Sequence, residues 1–307
     1  MKIATTTCDF DFFCASDEER IREIHRAGFK YIDFNMDAFT PDCVYMQDNW
    51  RDEVQKLKNL ASELGMTFVQ AHSQGGNPLS DDEAHVDFLL KATIRSIEIC
   101  EMLGIKNTVV HNGFASGLSK DEWFIKNKAF YARLFDTMER CGVNVLCENS
   151  TRSNMGDMYF INTGADMREF IKFVDHPQIH GCWDTGHANC EGSQYDEILA
   201  IGDELYAIHY NDNHGSRDDH LAPFLGCLNN DEIICALKDV GFKGYFTLES
   251  CSSLITYNKW TEKRRRFRDD GPALKLKQPQ LFMQRHIEAM IYETSKWMLE
   301  EYGLFEE

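Results

Sequence analysis

Six side chains able to bind a metal or carry a proton stand at or near the ends of apolar stretches: His72, His111, Glu148, Asp184, His209 and Glu249. The clearest case is the run Gly181-Cys-Trp-Asp-Thr-Gly-His-Ala-Asn189. An apolar stretch from Ile179 to Trp183 reaches Asp184, Gly186 breaks it, and His187 follows three residues after the acid. A buried strand that ends by presenting a carboxylate and an imidazole into one turn suits a metal or an acid/base site. Glu148, Asp184, His209 and Glu249 together offer three carboxylates and one imidazole. That mixture suits one divalent ion, Mn²⁺, Mg²⁺, Co²⁺ or Zn²⁺, and is too rich in oxygen for a structural zinc site. Carboxylates converging on one point repel one another unless a cation lies between them.

Bringing these residues together requires a regular scaffold. The six are spaced roughly 25 to 40 residues apart, each about one strand–helix unit. Short apolar runs read as strands at Lys2–Thr7, Tyr31–Asn35, Thr67–His72, Thr108–His111, Val143–Glu148, Ile179–Asp184, Leu205–Tyr210 and Tyr245–Glu249. Amphipathic runs between them read as helices. Ser16 opens one that Gly28 stops, Trp50–Leu64 is another, and Ser80 caps a long third. Further helices are expected at 119–141, 165–174, 194–201 and 231–240, with a closing helix at about 279–302. Eight such alternations predict an α/β (β/α)8 TIM barrel, one domain over residues 1–307. In such a barrel all strands open at their C-terminal ends on one face, so the six side chains share a mouth.

The totals agree with a single core. Hydrophobic residues make up 43% of the 307, and no run is long and apolar enough to span a membrane. The eleven cysteines include no CxxC pair, and no secretory apolar region opens the chain, so reduced thiols in the cytoplasm are expected. A net charge of −18 argues against a nucleic-acid partner. The basic run Lys259 to Arg268 reads as a solvated surface or an oligomer contact.

With these motifs in order, the chain resembles the xylose isomerase-like TIM barrel superfamily, which contains sugar isomerases, ketose epimerases and endonuclease IV-type enzymes. The resemblance rests on His72 in Gln-Ala-His-Ser, His111 in Val-Val-His-Asn, Glu148 in Cys-Glu-Asn and Asp184 with His187 in Trp-Asp-Thr-Gly-His-Ala-Asn. It continues with His209 in Ile-His-Tyr-Asn-Asp and Glu249 in Thr-Leu-Glu-Ser. It implies that Glu148, Asp184, His209 and Glu249 hold one divalent metal that polarises the carbonyl of an open-chain sugar or sugar phosphate. Glu148 and Glu249 would be base and acid on opposite faces of the inverted carbon, through an enediolate. His187 and Arg217 would bind substrate oxygens, with His72 and His111 also counted as substrate-binding. Phe10, Phe12, Phe34, Trp183 and Tyr210 are either sugar-stacking aromatics or core. A small-molecule sugar is the expected partner, and a homo-oligomer is allowed for, since barrels of this kind commonly pair.

The rival branch of the superfamily cuts abasic DNA with three zinc ions. Its extra ligands would be His72 and His111 at one ion, and His187, Asp218 and His220 at another. The glycine-acid-glycine element expected after that pair is replaced here by Pro223-Phe-Leu-Gly-Cys-Leu. A third reading keeps the ligand set in a sugar-binding barrel without catalysis.

Overall fold

The computed structural model describes residues 1–255, 275–276 and 278–307. The basic run 259–268 lies outside the described residues. Eight parallel strands form the barrel: β1 (Ile3–Thr6), β2 (Tyr31–Asn35), β3 (Thr67–His72), β4 (Asn107–Val109), β5 (Asn144–Glu148), β6 (Ile179–Asp184), β7 (Leu205–His209) and β8 (Phe246–Leu248). β1 to β7 pair in sequence order, and β8 pairs with β1. Closure comes just past β7, where Tyr210 N–H donates to Thr247 O at 2.7 Å and Glu249 N–H donates to Tyr210 O at 3.0 Å. The fold is therefore the expected (β/α)8 TIM barrel.

Between the strands lie α1 (Asp17–Ala27), α2 (Trp50–Glu63), α3 (Glu83–Leu103), α4 (Lys120–Ala132), α5 (Phe135–Cys141), α6 (Arg152–Met155), α7 (Gly164–Val174), α8 (Thr185–Asn189), α9 (Tyr195–Ile201) and α10 (Asn230–Asp239), before a C-terminal helix (Leu281–Glu301). The Ser16 cap of α1 forms as read, but the reciprocal half of the box falls one residue early, on Ala15 instead of Ser16. Ser16 Oγ accepts from Glu19 N–H, Glu19 Oε2 accepts from Ala15 N–H, and Gly28 at φ 108° ends the helix. Three expectations shift. Asp82 rather than Ser80 caps α3, accepting from His85 N–H at 3.1 Å. The single helix expected at 119–141 is two, because Arg133 and Leu134 N–H turn to carbonyls three residues back, Phe130 and Tyr131. The third is a pair of short helices that were unforeseen, α6 and α8, the latter beginning on the site residue Asp184 itself.

The interior explains where the site can sit. Val109, Leu146, Cys182 and Ala207 form a small buried cluster of their own. Each lies two residues before His111, Glu148, Asp184 or His209. Strand side chains alternate, so these pairs share the inward face, with an apolar plug below and polar groups at the mouth. Outside the sheet, Trp123 of α4 packs on Phe170 of α7 with ring centroids 5.4 Å apart. The C-terminal helix fastens to α1 through Arg285, which donates to both Glu23 oxygens at 2.7 Å.

Candidate metal centre

Strand register brings the ends together: Glu148 lies level with Cys182, and Asp184 level with His209. Glu148, Asp184, His209 and Glu249 each offer one ligand atom, and these atoms all lie within 4.8 Å of one another. His209, fully buried, is the hub. Its Nδ1 stands 2.5 Å from Glu148 Oε1 and 3.4 Å from Glu249 Oε2. Its Nε2 faces Asp33 Oδ2 at 3.4 Å. Asp184 is held from all sides. It takes Asn211 Nδ2–H at 2.8 Å on one oxygen and His187 N–H at 2.6 Å on the other. Asn149 braces its backbone through both N–H and C=O.

Two satellite clusters adjoin this one. His72, His111 and Glu148 form the first, with His72 Nε2 3.1 Å from His111 Nε2, and that nitrogen 3.1 Å from Glu148 Oε2. His187, Asp218 and His220 form the second, with both Nε2 atoms turned to Asp218 Oδ2, at 3.2 and 2.9 Å. Arg217 is exposed and makes no hydrogen bond or ion pair with a described residue.

The ring geometry is informative. His72, His187 and His220 each turn Nδ1 to a backbone carbonyl, of Ser73 (3.1 Å), Asn149 (2.9 Å) and Glu249 (3.1 Å). A carbonyl only accepts, so Nδ1 carries the hydrogen and a neutral ring offers its Nε2 lone pair inward. For His187 and His220 that lone pair meets the Asp218 carboxylate. The contact is favourable only with an extra proton on each ring or with a cation among them. A second-shell carbonyl behind each imidazole is the usual support of a metal-ligating histidine.

The electrostatics follow the packing. Burial pushes the Glu148 carboxyl up, but His209 and His111 outweigh it and hold it well below the usual carboxylate range. Burial raises Glu249 to about 8 and also raises Asp184. Burial, then His111, lowers His72 to about 4. Burial opposes a charge on His187, yet Asp184 and Asp218 raise it to about 10. The groups compete for protons because each is desolvated among the others, the condition a multivalent cation relieves.

Four of the five aromatics named as stacking candidates, Phe10, Phe34, Trp183 and Tyr210, are fully buried, and only Phe12 is exposed, at 48%. Trp183 instead donates Nε1–H to Gln194 Oε1 at 3.0 Å. The apolar surface beside the site is that of Phe114, Met155 and Tyr159, which with His111, Glu148 and His187 line a cavity of about 120 Å³. Asp33, Asn149 and Asn211 are site residues that the motifs did not single out. The available signals were an acid inside the apolar strand Tyr31–Asn35 and the asparagines beside Glu148 and near His209.

The model of the xylose isomerase-like TIM barrel family matches residues 21–270. The chain belongs to that family. It is 25% identical to an uncharacterised protein, y4fM, of Sinorhizobium fredii, over 74% of this chain and 78% of that one. Among solved structures it is similar to a D-psicose 3-epimerase in the presence of D-fructose, at 18% identity and TM-score 0.74, covering 97% of this chain and 99% of that one. It is also similar to an IOLI protein with a binding zinc atom, at 17% identity and TM-score 0.72, covering all of both chains. At these identities the likeness is one of fold. Among the described residues no helix is long and apolar enough to cross a membrane.

Proposed function

We propose that this barrel is a divalent-metal-dependent isomerase or epimerase of sugars or sugar phosphates that moves a proton through an enediolate. The observation that carries the reading is the convergence of three carboxylates and one imidazole, within 4.8 Å, at the mouth of a family barrel. The donor set fits a divalent ion: oxygen-rich, buried and self-repelling without a cation. Glu148, Asp184, His209 and Glu249 would hold that ion. A bound ion supplies Lewis-acid polarisation of a substrate carbonyl. The remaining work belongs to the chain. Glu148 and Glu249 approach the same His209 nitrogen, and in this reading each carboxylate takes or returns the proton at the carbon that changes. His187, fixed by Asn149, orients a substrate oxygen, with His72, His111 and Arg217 completing the substrate side. Phe114 and Met155 exclude water beside it. The names of the similar structures, a ketose epimerase among them, support a small sugar as substrate.

The test is incubation of a ketose panel in heavy water. Epimerised or isomerised product carrying solvent deuterium at the reacting carbon is expected. Turnover without deuterium, or no turnover on any ketose tried, would count against the proton-transfer reading.

A second reading has its own observation. The two satellite clusters, with Nδ1 of His72, His187 and His220 each on a carbonyl, could hold two further ions, up to three zinc in all. A trinuclear site would suit phosphodiester cleavage. Three zinc ions per chain together with cutting of abasic duplex would favour it over the sugar reading.

A further inference from the structure

Beside the site just described, the seam where β1 meets β8 holds a group that the proposed reaction does not use. Cys8 lies in the turn Thr7–Phe10 directly after β1, and Cys251 follows β8. Cys8 Sγ, Cys251 Sγ and a carboxylate oxygen of Asp9 all lie within 4.8 Å of one another. Both cysteines are thiols, and each keeps partial contact with solvent. Asp9 is 2% exposed. Its Oδ2 accepts from Thr5 Oγ1 at 2.9 Å. Behind it stands a second buried carboxyl, Glu288 of the C-terminal helix, 2.9 Å from the same Thr5 hydroxyl. One hydroxyl hydrogen cannot satisfy both acids, and the two carboxyls share a further proton in a hydrogen bond between them, which a cation at Asp9 would displace.

We infer that Cys8, Asp9 and Cys251 form a second metal site, selective for a soft or borderline ion such as Zn²⁺ or Cd²⁺. Two sulfurs and one oxygen are the donor set such ions prefer over Mg²⁺ or Mn²⁺, whereas the neighbouring cluster of three carboxylates and one imidazole has the opposite preference. A tetrahedral ion held by three side chains takes its fourth ligand from water. Each thiol releases its proton to solvent as it binds, and nothing is oxidised or reduced. The ion ties the end of β1 to the end of β8, the seam at which the barrel's first and last strands meet, two residues beyond Glu249. The site does not depend on the proposed reaction and stands if that reading fails.

The probe is Cd²⁺, added under reducing conditions to whole protein already saturated with Mn²⁺, so that the oxygen-rich site is occupied. A thiolate-to-cadmium charge-transfer band that saturates at one Cd²⁺ per chain is expected. Cys8→Ser and Cys251→Ser should each lose the band or weaken binding by at least about tenfold. Cys182→Ala, beside Glu148 and His209, and Cys227→Ser, on the surface, should keep it. In the unmutated protein Cd²⁺ should protect Cys8 and Cys251 together from alkylation, read by peptide mass spectrometry; this measurement stands even if a variant fails to fold. An unchanged band in both serine variants, or alkylation of the two thiols at the same rate with and without Cd²⁺, would overturn the assignment. So would a Cys8–Cys251 disulfide that forms in air at the same rate whether Cd²⁺ is present or not.

Discussion

Glu148 is buried and Glu249 half-buried beside His209, yet their neighbours differ, and so do the protons they hold. His111 and His209 flank Glu148, while the desolvated Glu249 has weaker company. As acid and base of the proposed reaction, each should be indispensable. Glu148→Gln and Glu249→Gln are expected to lower kcat by about 10²- to 10⁴-fold, read by steady-state kinetics. Either variant with bound metal and full activity would remove that residue from the mechanism. Asp33 acts one shell further out. It faces His209 Nε2 and orients the ring, so Asp33→Asn should weaken metal binding about 10- to 100-fold in a chelator competition while the fold persists. The carboxylates and histidines were legible in the sequence because each closes an apolar run. Asp33 and Asn211 were not. Their roles depend on which atoms strand register places opposite them, and no local pattern encodes that.

At the scale of elements, β6 and the short α8 behave as one unit. Asp184 ends the strand and caps the helix, accepting from His187 N–H, so one residue is both cap and candidate ligand. Gly186 makes the turn possible for a steric reason. A Cβ there would stand 1.8 Å from Asn211 Oδ1, and Asn211 is the residue that holds Asp184. Gly186→Ala should therefore displace Asn211 and weaken metal binding more than it lowers the melting temperature. Calorimetric titration beside a thermal melt separates the two, and equal metal affinity would contradict the linkage. The strands and most helices were legible from periodicity and caps. The break between α4 and α5 was not, because 119–141 keeps helical spacing throughout and the turn at Arg133–Leu134 carries no glycine or proline. The packing of those helices gives a prediction about stability. Trp123→Ala should cost about 3 to 5 kcal/mol in denaturant unfolding by opening a cavity against Phe170.

At the scale of the whole molecule, the C-terminal helix closes the ring of helices by docking on α1. Hydrogen bonds from Arg285 lower Glu23 to about 2; partial burial opposes the shift and Arg26 adds to it. A carboxyl lowered on folding stabilises the native state fully above its unfolded value, near 4.5, and loses that stabilisation as pH falls towards 2. Glu23→Gln should thus be less stable than the parent at neutral pH, with a flatter decline between pH 4.5 and 2 in denaturant midpoints. Parallel declines would show the ion pair to be idle. The barrel as a whole was readable because eight similar units repeat one rule, an apolar strand ending in a polar group at a common face. The substrate was not readable, since the loops that would select it follow no repeat.

The most direct test of a metal-dependent sugar site is elemental analysis of protein purified with neither added metal nor chelator, followed by stripping and a ketose assay. At least one divalent ion per chain is expected, lost on stripping together with turnover and restored with it. Protein that takes up no ion, or that turns over a ketose at an undiminished rate once stripped, would contradict the proposed function.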